Sequence, residues 1–234
     1  MEEKILKISH THTGIFIERS NRFLSHVKID GKTEKVHVHD PGRLKELLYE
    51  GNRVLLKKVD SSKRKTKWDL LAAFYKNTPV FINSMYHSRI AREIITKNLI
   101  PFLGNYDNLR SEVKLNHSRI DFLIEKSNKK IWVEVKGCTL CENGVALFPD
   151  APTKRGARHI NSLLEVKDKL NEICLLILIF RSDAKIFSPN EKTDPLFSET
   201  FKKAVKNGLK VFPLLLEYDG MWIKFLREIP LKKI

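Results

Sequence analysis

The stretch Ser118-Arg119-Ile120-Asp121-Phe122-Leu123-Ile124, followed after a polar interval by Ile131-Trp132-Val133-Glu134-Val135-Lys136-Gly137, decides how this chain is read. Both runs are apolar and rich in β-branched and aromatic residues, the composition of half-buried strands. Each carries charge where a strand interior disfavours it. Glu134 and Lys136 are two positions apart, so a strand points both to one face and sends Val133 and Val135 to the other. Asp121 lies thirteen positions before Glu134, and the segment from Glu125 to Lys130, with Ser127 and Asn128 inside it, reads as the turn of a hairpin. Such a hairpin brings two carboxylates together beside a lysine. The carboxylates repel each other unless a cation sits between them, and oxygen ligands of this kind suit Mg²⁺ or Mn²⁺. This is the pattern of a metal-dependent phosphodiesterase site. The residues allow one other reading, an edge hairpin with a solvated charged face.

The composition narrows the partner. Lys and Arg number 43 against 28 Asp and Glu, a formal charge of +15 in 234 residues, and such an excess attracts polyanions. The cations cluster in Lys63-Arg64-Lys65 with Lys67, and again in Lys154-Arg155 with Arg158, away from any amphipathic membrane helix. Nucleic acid is the expected partner, DNA first, with RNA supported by the same charges. No run approaches the roughly 18 apolar residues of a membrane helix, and Met1-Glu2-Glu3-Lys4 opens no secretory signal, so a cytoplasmic protein is expected. Three cysteines make no disulfide framework. Cys138 and Cys141 form a C-x-x-C without the second pair that a structural zinc site needs.

The fold class expected is α/β, as an α+β two-domain chain. Residues 1–83 read as short strands separated by turns, with Asp30-Gly31 a hairpin signal and one short helix from about Arg43 to Tyr49. Five strands interrupted by one helix describe an OB-fold-like β-barrel, a shape that binds nucleic acid. From Ser84 the period changes to a helix running to about Leu99. Residues 84–234 then alternate strands near 109–115, 119–124, 130–140, 145–148, 173–180, 210–217 and 221–225 with helices near 154–170 and 195–207, the order of a mixed sheet.

Taken together, Ser111-Glu112-Val113-Lys114, Ser118 to Phe122, Val133-Glu134-Val135-Lys136, Cys138-Thr139-Leu140, Ala146 to Ala151 and Thr153 to His159 closely resemble the sugar fermentation stimulation protein A (SfsA) family. The resemblance continues upstream through Ser20 to Leu24, His39 to Leu44, Lys63-Arg64-Lys65 and Trp68. It implies an N-terminal OB-fold and a C-terminal PD-(D/E)xK nuclease-like domain in a DNA-binding protein. Asp40-Pro41-Gly42 stands where many members carry Asn-Thr-Gly, and Gly137-Cys138 replaces small or polar residues after the lysine.

In the nuclease reading Asp121 and Glu134 hold the metal and Lys136 orients or helps deprotonate the attacking water. The resemblance adds an acidic residue from the preceding helix, for which Glu93 is the match; as a helical Glu it equally fits a solvated position. Glu112 is a further acidic candidate. Asp150 or Thr153 caps the next helix. Arg155 and His159, four apart, share a helix face directed at a bound backbone or the metal site; alternatively Arg155 pairs with a strand carboxylate and His159 packs. Lys63, Arg64, Lys65 and Lys67 are the expected phosphate contacts, and Trp68, Phe74 and Tyr75 are either stacking platforms beside them or core. His37 and His39 share a strand face, but without a third ligand they read as a half-exposed face. Two functions therefore stand side by side, a metal-dependent endonuclease and an inactive DNA- or RNA-binding protein on a nuclease-like scaffold.

Overall fold

The computed structural model describes residues 2–60 and 64–233. In chain order the strands and helices are β1 (Glu3–Lys7), β2 (His12–Asn21), β3 (Leu24–Ile29), β4 (Lys32–His37), β5 (Arg53–Lys58), β6 (Trp68–Tyr75), β7 (Thr78–Phe81), α1 (His87–Thr96), β8 (Asn108–Leu115), β9 (Ser118–Lys126) and β10 (Lys129–Cys138). There follow β11 (Cys141–Glu142), β12 (Val145–Phe148), α2 (Lys154–Val166), β13 (Asn171–Ile179), β14 (Ile186–Pro189), α3 (Pro195–Lys206), β15 (Lys210–Tyr218) and β16 (Trp222–Glu228).

Strands β2 to β6 form an OB-like barrel. The order β4-β3-β2-β5-β6 is closed by a parallel pairing of β4 with β6 at Val36 and Trp68, which removes both edges, and β7 extends the sheet from β6. The sequence pattern predicts a helix at residues 43–49 that does not form. Leu44 adopts φ +50° and its N–H reaches Asp150 Oδ2 at 3.3 Å, so the chain makes a single turn closed by Leu47 and Leu48 N–H on the Leu44 carbonyl. A bond across the molecule wins over local helix propensity here.

The second sheet has the order β1-β16-β15-β13-β10-β9-β8, parallel at β10-β13-β15 and antiparallel elsewhere. Its first strand comes from the far N-terminus: β1 pairs with β16, so residues 3–7, grouped with the barrel in the sequence reading, belong to the other sheet. Period-two burial decides what covers each face. Ile131, Val133 and Val135 point into a core shared with α1 and the barrel, whereas Trp132 and Cys138 point to the α2 and α3 side, and Glu134 and Lys136 share their parity. The shared core runs without a break from Val27 and Leu56 of the barrel to Val133 and Leu176 of the sheet.

The helices start where caps allow. Thr153 Oγ1 accepts the Gly156 N–H at 3.0 Å to open α2, and Asp194 accepts the Phe197 N–H at 2.9 Å with Pro195 at the first position of α3. The other cap candidate, Asp150, instead holds the barrel loop. Helix α2 ends at Val166, short of the expected 170, because Asp168 Oδ1 accepts the N–H groups of Leu170 and Asn171 at 2.7 Å each and turns the chain into β13.

Candidate metal and nucleic-acid site

The hairpin β9–β10 pairs in register from Lys126 and Lys129 to Phe122 and Val133. One step further the backbone ladder stops. There Asp121 Oδ2 accepts the N–H of Val135 at 2.7 Å, so a side chain takes over a bond the ladder no longer makes. On the other side, Glu112, opposite Asp121 in the β8–β9 register, has φ +56° and makes no ladder pair. Asp121 and Glu134 therefore lie side by side where the ladder ends, close enough for each charge to act on the other.

Glu134 is fully buried. Its Oε1 meets Lys136 Nζ at 2.5 Å and His159 Nδ1 at 2.5 Å. His159 Nε2 in turn accepts from Arg155 Nε at 3.3 Å, so the tautomer that fits both bonds carries its proton on Nδ1. Burial raises the Glu134 pKa, but Lys136 and His159 outweigh it and hold the carboxyl below its usual range. Asp121 goes the other way: burial, then the Glu134 charge, push it up to about 6. The Glu134 Oε2 atom is buried with no hydrogen-bond partner. An ionised carboxylate oxygen left so beside a second carboxylate is the donor set a small divalent cation fits, since Mg²⁺ binds through one or two carboxylates and completes its shell with water and phosphate oxygens.

A residue the sequence reading missed lies against this group. A Cβ at Gly137 would overlap the ring of His87, the first residue of α1. The His87 ring also stacks on Phe180 at 5.4 Å, and its Nε2 is buried without a partner. Burial, then Lys136, lower its pKa to about 4, so it is a neutral imidazole at physiological pH. The only sequence signal is Gly137 itself, a residue without a side chain directly after the lysine.

His87, Lys136, Gly137, Asp150 and Arg155 line a cleft of about 550 Å³, and Asp40 and Gly42 reach into it from the barrel. The barrel loop is clamped by Arg19, whose guanidinium donates to the carbonyls of Arg22, Asp40 and Gly42 at 2.6, 2.7 and 2.6 Å.

Asp121, Glu134, Lys136, His159 and Arg155 are thus gathered at one place. Glu93 is not. It lies half-buried on α1, where it adds to the field that Glu3 exerts on Lys97, and among the described residues no group of three or more His, Cys, Asp or Glu is placed to hold a metal. Glu112 is exposed, 3.6 Å from Arg119. Lys63 falls outside the described residues. Lys65 and Lys67 are exposed, while Arg64 pairs with buried Asp69, which the His39 and Arg64 bonds hold at about 2 against the effect of burial. His39 Nε2 stands 3.0 Å from the same Asp69, and no third ligand joins His37. Trp68 is buried against His12, and the faces of Phe74 and Tyr75 are covered by Arg53 and Arg181, each 3.7 Å from the ring centre. Trp68 is thereby part of the core, and one face each of Phe74 and Tyr75 is occupied.

Residues 85–221 match the sugar fermentation stimulation protein RE domain, and residues 17–82 match the SfsA N-terminal OB domain. A sugar fermentation stimulation protein homolog of Thermosipho melanesiensis is 47% identical over 97% of both chains, and one of Methanococcoides burtonii is 43% identical over 97% of this chain and 94% of its own. The structure of Pyrococcus furiosus SfsA in complex with Ca²⁺ superposes with a TM-score of 0.89 at 27% identity, covering 98% of this chain and 99% of that one. No helix of the described residues is long and apolar enough to cross a membrane. With both domains matched and relatives this similar along nearly the whole length, the chain belongs to the sugar fermentation stimulation protein (SfsA) family.

Proposed function

We propose that the chain is a DNA-binding phosphodiesterase of the endonuclease type that works with Mg²⁺ or Mn²⁺. The observation that carries this reading is the buried, unpartnered Glu134 Oε2 beside Asp121, next to Lys136, which lines the cleft. A divalent ion bound by Asp121 and Glu134 would lower the pKa of a water and neutralise charge growing on the scissile phosphate. That a relative of this family was crystallised with Ca²⁺, a cation with the same taste for oxygen ligands, supports the choice.

The protein's own groups divide the remaining work. His159 fixes the Glu134 carboxylate by one oxygen and leaves the other free for the cation. Lys136 spends one N–H on Glu134, and its remaining N–H groups can donate to the attacking water or to a phosphate oxygen. Arg155, exposed at the start of α2, adds a cation at the mouth of the cleft, where the helix N-terminus also attracts phosphate. Lys65 and Lys67 supply contacts that position the backbone without reading bases.

The test is incubation of the purified protein with plasmid, single-stranded DNA and RNA, each with Mg²⁺, Mn²⁺ or EDTA. Metal-dependent DNA cleavage supports the proposal. DNA bound tightly in every condition but never cut would instead make the chain a binding protein on a nuclease-like scaffold.

A further inference from the structure

On the barrel side of the loop at residues 39–42 lies a second cleft, of about 600 Å³. Phe23 forms part of its lining, 47% exposed, with its ring stacked on His37 at 6.3 Å and 15°. Met85, 59% exposed, lines it as well. Lys35 and Lys65 bring cations, Arg64 is paired with Asp69, and no carboxylate is itself among the lining residues. A single exposed Phe on a soluble protein is ordinary. This one is held in place: Asn21 Oδ1 accepts the Phe23 N–H at 2.9 Å, and the Phe23 carbonyl accepts the Val38 N–H at 3.0 Å. An exposed aromatic face beside Lys35 and Lys65, with the Asp69 charge behind it taken up by Arg64 and His39, complements a nucleobase and its phosphates.

The two clefts meet along the chain in three places. Arg22, Asp40 and Ser84 line the cleft that Lys136 borders, and their immediate neighbours Phe23, His39 and Met85 line the second. The ridge between them is rigid, because Arg19 ties Arg22, Asp40 and Gly42 together and Ser84 Oγ donates to the His39 carbonyl at 2.7 Å. From this continuity we propose, on the nucleic-acid reading above, that the substrate presents a single-stranded stretch of DNA whose backbone enters the cleft bordered by Lys136 while a neighbouring unpaired base stacks on Phe23. Bases in a duplex are already stacked on one another and offer the ring no face. Unpaired bases do, and stacking accepts any of the four.

The inference is tested by fluorescence anisotropy without added divalent ions, comparing a labelled single-stranded DNA oligonucleotide with the duplex of the same sequence. Phe23→Ala should weaken single-strand binding about tenfold and leave duplex binding unchanged, the loss expected of one stacked base. Phe23→Trp should restore it. Mn²⁺ calorimetry on Phe23→Ala should match the parent, showing that the carboxylate site is intact. Equal losses on both DNA forms, no loss at all, or an effect of Phe23 confined to single-stranded RNA would overturn the inference while leaving a nucleic-acid-binding protein. A parent that binds no nucleic acid overturns this inference and the proposed function together; a parent that binds and cuts DNA regardless of Phe23 overturns only the inference.

Discussion

Gly137 has no side chain where His87 needs the space: a Cβ at this position would overlap the imidazole ring. Gly137→Ala therefore must displace either the ring or the strand carrying Lys136. The expected result is loss of metal-dependent cleavage with retained DNA binding, and a destabilisation of about 1–3 kcal/mol, the usual cost of overpacking a well-filled site. Chemical denaturation and a nicking assay on the same preparation check it; full activity in a well-folded variant would show that the contact has slack.

Divalent cations should raise the melting temperature, because a ligand held only by the folded state stabilises it by mass action. Asp121→Asn and Glu134→Gln should each remove that shift. Without metal, Asp121→Asn should melt no lower than the parent, since it removes a like charge beside Glu134 while its side-chain oxygen still accepts the Val135 N–H. Scanning fluorimetry with and without Mn²⁺ decides; a shift that survives both substitutions places the cation elsewhere.

Lys136→Ala should separate binding from chemistry. Its amine touches Glu134 but is itself no cation ligand, so Mn²⁺ heats should persist while cleavage falls by about a hundredfold or more. Loss of Mn²⁺ binding in this variant would count against the division of labour.

Asp40 gives a pH dependence with a definite sign. Burial, with Asp150 adding to it, pushes this carboxyl up to about 6 in the folded chain although Gly42 N–H lowers it. A folded value above the unfolded one means a penalty that is absent where both states are protonated and complete above the folded value, about 2 to 3 kcal/mol at most. Asp40→Asn keeps an acceptor for Gly42 and should raise the melting temperature at about pH 8 but not at about pH 4. A gain of equal size at both values would point to a cause other than charge.

Lys65→Ala and Lys67→Ala should each lower DNA affinity by the same factor on unrelated sequences and flatten the slope of affinity against salt by about one. Sequence-dependent losses would show that these side chains read bases.

The acidic pair and its lysine were legible because charge inside two apolar runs is rare and a period of two fixes which residues meet. Arg155 and His159 were legible for the same kind of reason, helical spacing, and the structure joins them in one chain of bonds, Arg155 to His159 to Glu134. What the sequence hid depends on contacts between distant segments. His87 reaches Gly137 only because α1 packs against β10. Leu44 is turned by Asp150, which lies 106 positions away, and local propensity at residues 43–49 carries no trace of that bond. Of the two roles open to Trp68 the structure takes the core one, while Phe23, which no pattern singled out, is exposed.

The pairing of β1 with β16 joins the first strand of the chain to the last. A ribosome must release Trp222 to Glu228 before Glu3 to Lys7 can find its place, so the barrel, complete much earlier, waits with a tethered strand unpaired. Once that strand docks, the barrel is tied to the second domain at two points of the chain, to the sheet through residues 8–11 and to α1 through residues 82–86, so freeing it from that domain means breaking the pairing of β1 with β16 or stretching both connections.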